Sequence, residues 1–68
     1  MPFVNIKMTE GSSTPEQKAK LVKGVTDLLA ETLGKPADSV LVLIEEYPTD
    51  NWGKGGVTIT ELRKGKKQ

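Results

Sequence analysis

Hydrophobic and polar residues alternate along residues 3–8, FVNIKM, and the alternation places Val4, Ile6 and Met8 on one face. This two-residue period predicts a strand with one apolar face. Apolar residues then recur at a spacing of three and four, which predicts an amphipathic helix from about residue 15 to 33. Its members are Ala19, Val22, Val25, Leu29 and Leu33, with Leu21 and Leu28 widening the stripe. Residues 40–44, VLVLI, are apolar throughout, a pattern typical of a parallel strand buried on both faces.

Capping residues mark both ends of the predicted helix. Thr14 is the predicted N-cap, Pro15 stands at the first helical position, and Gln17 can complete a capping box. Gly34 suits the position just after the last turn, and Pro36 prevents the helix from continuing. The strand–helix–strand order therefore predicts a β-α-β unit with parallel strands.

The C-terminal third of the chain carries weaker signals. Residues 45–56, EEYPTDNWGKGG, predict a loop or hairpin, and the GKGG glycines fit a turn with positive φ better than a phosphate-binding loop. Residues 57–60, VTIT, alternate and predict a short third strand. On a strand Glu45 and Glu46 point to opposite faces, so we interpret them as a solvated strand end and not as a catalytic pair.

A chain of 68 residues forms a single domain, residues 1–68, with a small core. Domains below roughly 70–80 residues usually need a disulfide, a metal or self-association. Cysteine and histidine are both absent, so we expect no disulfide, no metal site and no cofactor. One helix covers one face of a two-stranded sheet, yet residues 40–44 call for burial on both. The sequence therefore predicts an oligomer.

The chain has ten basic and nine acidic side chains, but four of the basic ones lie in the tail 63–68, RKGKKQ. The rest of the chain is therefore acidic. We interpret the tail as a solvated terminus. Nucleic-acid binding is the alternative, and the tail lacks the aromatic residues or basic face that would support it. No signal peptide and no membrane-spanning run is predicted, so we expect a cytoplasmic protein without nucleic-acid or membrane partners.

Pro2 is the candidate for catalysis, because the chain has no histidine for acid–base work and no cysteine nucleophile. Removal of Met1, which we expect, would expose a secondary amine at the head of the first strand. A free α-amine has a pKa of about 7.7–8.0, and burial lowers the pKa of an amine toward the range useful for a general base. The alternative is that Pro2 only begins the strand.

The chain resembles the 4-oxalocrotonate tautomerase family of the tautomerase superfamily. The resemblance rests on MPFVNIKMTEG at the start, TPEQKAKLVKGVTDLL in the helix, SVLVLIEEY in the second strand and NWGKGG after it. It implies an α/β (α+β) protein with a β-α-β, macrophage-migration-inhibitory-factor-like fold: a parallel two-strand core with a short C-terminal hairpin or strand. It also implies a homohexamer, a trimer of dimers, in which Pro2 catalyses keto–enol tautomerisation of a small 2-hydroxy-dienoate or 2-oxo acid such as 2-hydroxymuconate.

The resemblance also identifies residues for substrate binding. Trp52 aligns with the aromatic wall of the family's active site; the alternative is a core or interface anchor, and in a hexamer it could be both. Two arginines that hold substrate carboxylates in the best-known members are absent, because Ser12 and Leu41 stand at those places, as in a subgroup of the family. Lys54, Arg63 and Ser12 are the candidate substrate-binding groups in their stead. Lys7 and Lys35 are the other cations considered outside the tail, and a different substrate is the alternative. A catalytically weak or inactive hexameric binding module is the alternative function.

Overall fold

The computed structural model describes residues 1–65, so the last three residues of the predicted basic tail lie outside the described part. Its main elements are strand β1 (Phe3–Thr9), helix α1 (Pro15–Leu33) and strand β2 (Leu41–Tyr47). A hairpin of β3 (Gly53–Lys54) and β4 (Val57–Thr58) and a short helix α2 (Ile59–Arg63) follow. Single 3₁₀ turns at Ala37–Ser39 and Thr49–Asn51 precede β2 and β3.

Strands β1 and β2 pair in parallel, in a register that sets Phe3 opposite Leu41 and Thr9 opposite Tyr47. The Pro2 carbonyl accepts a hydrogen bond from the Leu41 amide (2.9 Å), and the Tyr47 carbonyl accepts one from the Glu10 amide (2.8 Å). The ladder is thus closed at both ends. The predicted parallel β-α-β core is confirmed.

Helix α1 has the predicted bounds, and its caps explain them. The Thr14 hydroxyl accepts from the Gln17 amide (3.1 Å), while the Gln17 side chain accepts from the Thr14 amide (2.9 Å). Gly34 ends the helix with a φ of 67°, a left-handed conformation that costs other residues about 1–2 kcal/mol.

The helix covers one face of the sheet and leaves the other uncovered within the chain. Lys18 on α1 pairs with Glu46 on β2 across this contact (3.0 Å), while Leu33 at the end of the predicted stripe stays 50% exposed. Because side chains alternate along a strand, the other face carries a mixed set of residues. We call it the open sheet face; its members are Phe3, Asn5, Lys7, Thr9, Leu41, Leu43, Glu45 and Tyr47.

The predicted burial of residues 40–44 on both faces is not met within one chain. Val40 is buried, and Val42 and Ile44 are half-buried under the helix, but Leu41 and Leu43 stay largely exposed. The radius of gyration is 15.7 Å, whereas a compact chain of this length has about 11 Å. The described chain is therefore extended and presents apolar surface.

Two sequence predictions need correction near the C-terminus. Strand β2 runs from Leu41 to Tyr47. The apolar pattern alone predicted a strand over residues 40–44 and a loop or hairpin from residue 45, whereas the segment that carries the family resemblance already placed residues 45–47 in the second strand. The predicted third strand over 57–60 is only partly right, because Ile59 and Thr60 belong to α2. The reason is local: Thr58 caps that helix, and its hydroxyl accepts from the Glu61 amide (3.2 Å). Gly55 and Gly56 have φ of 64° and 87°, so the predicted glycine turn with positive φ is confirmed.

Candidate functional site

A cavity of about 330 Å³ lies at the carboxyl end of the parallel sheet, lined by Lys7, Tyr47, Asn51 and Trp52. The turn Thr49–Asn51 brings the chain back so that Trp52 lies against the end of β2. The Trp52 indole N–H donates to the Tyr47 carbonyl at 3.3 Å. The cavity therefore has an indole wall, a phenol, an amide and one ammonium group.

Helix α2 holds this turn in place. The Thr49 and Thr60 hydroxyls lie 2.5 Å apart, and Thr60 also donates to the Asp50 carboxylate. The Trp52 carbonyl accepts from the Ile59 amide at 2.9 Å. The C-terminal segment thus fixes the first two residues of the turn and the residue after it, which orients the indole.

Lys7 belongs to a polar cluster on the open sheet face with Asn5, Glu45 and Tyr47. The Lys7 ammonium donates to Glu45 Oε1 at 2.8 Å and to Asn5 Oδ1 at 2.5 Å. The Glu45 carboxylate also accepts hydrogen bonds from the side-chain Nδ2 of Asn5 and from the Tyr47 hydroxyl, both at 2.9 Å. We call these four residues the Lys7–Glu45 cluster.

The hydrogen bonds of the Lys7–Glu45 cluster shift the pKa of its members. Lys7, followed by Asn5 and Tyr47, lowers the pKa of the Glu45 carboxyl to about 2. The hydrogen bond to Glu45 raises the pKa of Lys7 above its usual value and that of Tyr47 likewise. At neutral pH the cluster therefore holds a carboxylate, an ammonium and a protonated phenol.

Pro2 lies at the opposite end of the sheet from Trp52. Seven residues separate Pro2 from the end of β1, and at about 3.3 Å per residue the two ends of the strand are about 20 Å apart. While Met1 is attached, the Pro2 nitrogen is an amide. One chain alone does not bring the predicted catalytic residue to the predicted aromatic wall.

The other predicted binding residues do not line the cavity within one chain. Ser12 closes the turn after β1, because its hydroxyl donates to the Thr9 carbonyl at 2.6 Å and lies 2.5 Å from the Thr9 hydroxyl. Lys54 is exposed on the hairpin, and Arg63 is exposed at the end of α2. Leu41, at the place of the second missing arginine, is 49% exposed on the open sheet face.

The interpretation of Glu45 and Glu46 is half right. They point to opposite faces, as predicted, since Glu45 bonds to Lys7 whereas Glu46 bonds to Lys18 and Ser13. They are not merely solvated, because both are engaged by cationic and neutral donors. Sequence reasoning also missed Asn51 and Tyr47 as cavity residues; the available signal was the period-two alternation that puts Glu45 and Tyr47 on one face.

Two kinds of feature are not found among the described residues. Among residues 1–65, no three acidic side chains gather in a group that could hold a metal ion. In the same part of the chain, no helix combines the length and the apolar character needed to cross a membrane.

Comparison with known proteins identifies the family. A family model described as tautomerase enzyme matches residues 2–62. A probable tautomerase of Dickeya dadantii is 54% identical over 63 residues, covering 93% of this chain and 94% of its own. A 2-hydroxymuconate tautomerase of Comamonas testosteroni is 45% identical over 62 residues, covering 91% and 97%.

The fold agrees with this match. The solved heterohexamer 4-oxalocrotonate tautomerase of Chloroflexus aurantiacus superposes with a TM-score of 0.84 at 35% identity, covering 93% of this chain and 100% of that one. Sequence and fold thus agree over nearly the whole length of both chains. The chain belongs to the 4-oxalocrotonate tautomerase family of tautomerase enzymes and has the tautomerase fold.

Proposed function

We propose that the chain is a keto–enol tautomerase of small 2-hydroxy-dienoates or 2-oxo acids such as 2-hydroxymuconate, with Pro2 as the general acid and base. The observation that carries the proposal is the family match over residues 2–62, which begins at Pro2. The Comamonas testosteroni relative, 45% identical, is a 2-hydroxymuconate tautomerase and supports the substrate class.

The proposed reaction needs one group that both accepts and donates a proton. With Met1 removed, the Pro2 amine takes the proton of the enol hydroxyl while the C–O bond becomes a carbonyl. The carbon–carbon double bond shifts, and the protonated amine returns the proton to carbon. Protons balance, no electrons are gained or lost, and the step calls for no cofactor. A base with a pKa near the working pH contributes typically about 10²–10⁴-fold.

The proposed site is shared between chains in a homohexamer. Pro2 and Trp52 lie about 20 Å apart along one sheet, so a neighbouring chain has to supply one of them. The open sheet face offers the apolar surface for this contact, with Phe3 60% exposed and Leu43 44% exposed. The Chloroflexus aurantiacus neighbour is a heterohexamer, which supports a six-chain assembly. In that assembly the Trp52 indole would help keep the Pro2 amine dry and neutral.

The test compares chains that differ only at the amino terminus. Chemical synthesis of residues 1–68 and of residues 2–68 gives matched proteins with an amide and an amine at Pro2. We expect turnover of 2-hydroxymuconate and phenylenolpyruvate by the 2–68 protein, and a loss of at least about 100-fold both in the 1–68 protein and in Pro2→Ala. Equal rates in all three would reject Pro2 as the catalyst. Intact hexamers without turnover of either enol would favour the inactive binding module instead.

A further inference from the structure

The cavity beside Trp52 contains one cationic side chain, and it is not one of the predicted substrate-binding residues. Lys7 lines the cavity together with Tyr47, Asn51 and Trp52. Lys54 and Arg63 do not line it, and the Ser12 hydroxyl is used within the turn after β1. An acid substrate lying against the Trp52 indole would therefore meet the Lys7 ammonium.

The hydrogen bonds of Lys7 hold its ammonium in place and use two of its three N–H donors. A lysine ammonium has three donors. In the described chain, one donates to Glu45 Oε1 and one to Asn5 Oδ1, which leaves the third for a ligand. Glu45 is itself held by Asn5 and Tyr47, so the ammonium has a fixed anchor. A lysine is charged at neutral pH, and the hydrogen bond to Glu45 raises the pKa of Lys7 further.

We propose that Lys7 binds a carboxylate of the substrate and takes over the charge-pairing role that the two missing arginines have in other members of the family. The inference rests on the proposed function, because it assumes an enol acid beside Trp52. It changes the geometry of recognition: an ammonium is a point charge and makes one directed contact, whereas an arginine holds a carboxylate bidentately.

The kinetic test replaces Lys7 while keeping the size of the side chain. A charge-assisted hydrogen bond made equally in the ground state and the transition state affects KM and leaves kcat unchanged. We expect Lys7→Gln and Lys7→Met to raise KM for both enols about 10-fold or more, with kcat within about twofold of wild type. Lys7→Arg, which keeps the charge, should restore KM to within about threefold.

Lys23 supplies the matched control. Its ammonium also pairs with a carboxylate at 2.8 Å, that of Asp27, but on the exposed surface of α1. Lys23→Gln removes the same charge from the protein and should leave KM unchanged. If Lys7→Gln leaves KM within about twofold of wild type, or if Lys7→Arg is as impaired as Lys7→Gln, the proposal is wrong. Loss of the assembly in both Lys7→Gln and Lys7→Met would likewise overturn it, since Lys7 would then be structural.

A binding measurement separates this inference from the proposed reaction. Trp52 is the single tryptophan of the chain, so its fluorescence reports directly on the cavity. We expect the unreactive acid cinnamate to change this fluorescence, and Lys7→Gln to weaken its binding about 10-fold. Lys7-dependent cinnamate binding without enol turnover would reject the catalytic function and keep the anion contact. Enol turnover together with equal cinnamate affinity in wild type and Lys7→Gln would keep the catalytic function and reject the contact between Lys7 and the carboxylate.

Discussion

Replacing Leu43 by Asp tests whether the open sheet face is where copies of this chain meet. Leu43 lies in the middle of β2, opposite Asn5, and is 44% exposed in the single chain. Fully burying a leucine side chain is worth about 1.5–3 kcal/mol. Covering the exposed part of Leu43 therefore contributes about 1 kcal/mol per chain to assembly.

An aspartate at position 43 would make the contribution of this residue to assembly unfavourable. Burying an unpaired carboxylate costs several kcal/mol, and Lys7, a cation on the same face, already pairs with Glu45. The total penalty is about 3 kcal/mol or more for each chain, which weakens association about 100-fold or more per chain. We expect Leu43→Asp to sediment as species smaller than wild type at micromolar concentration and to lose enol turnover.

The control for Leu43→Asp is Leu28→Asp on helix α1. Leu28 is 63% exposed and lies outside the open sheet face, so the same chemical change there should leave sedimentation unchanged. Circular dichroism separates a dissociated chain from an unfolded one. The reasoning fails if Leu43→Asp sediments like wild type, if Leu28→Asp dissociates equally, or if wild type is a folded, active monomer.

Two further predictions concern stability. Thr14→Ala removes the N-cap of α1 and should lower the free energy of unfolding, measured by urea denaturation, by about 1 kcal/mol. Thr14→Ser keeps the hydroxyl and is the control. Equal losses of stability in the two variants would contradict the capping role. Because the pKa of Glu45 is lowered from 4.5 to about 2 in the folded chain, its contribution is present above pH 4.5 and is lost as pH falls toward 2. The difference in the free energy of unfolding between wild type and Glu45→Gln, measured by urea titrations, should therefore shrink as the pH falls from 4.5 to about 2. A difference that stays constant over this range would show that Glu45 does not titrate as described.

Local sequence signals were sufficient where one segment decides its own structure. Thr14, Gln17 and Gly34 gave the bounds of α1 because a capping box and a left-handed glycine act within a few residues. The same signature is present at Thr58 and Glu61 and was missed, since the alternation of VTIT also fits a strand. Short apolar runs are ambiguous between the two states until the cap is considered.

The site depends on distances that the sequence does not encode locally. Lys7 meets Glu45 because the parallel register places them opposite each other, and the register follows from how β1 and β2 pair. The hydrophobic pattern predicted the two strands but not their register, so the Lys7–Glu45 cluster could not be predicted from it. The proximity of Pro2 and Trp52 is harder still to predict from the sequence. The two residues are about 20 Å apart within one chain, and only contacts between chains in the proposed hexamer would bring them together.

Within residues 1–65, Val40 is the single hydrophobic side chain that is buried. Selection for packing in the proposed hexamer would therefore act mainly on side chains that one chain exposes, such as Phe3 and Leu41. On a monomeric protein, surface substitutions usually change stability by no more than about 0.5 kcal/mol. In the proposed hexamer a single codon change would be copied into six subunits, so about 0.5 kcal/mol per chain would become about 3 kcal/mol per assembly. Evolutionary drift at these outwardly ordinary positions should accordingly be slow.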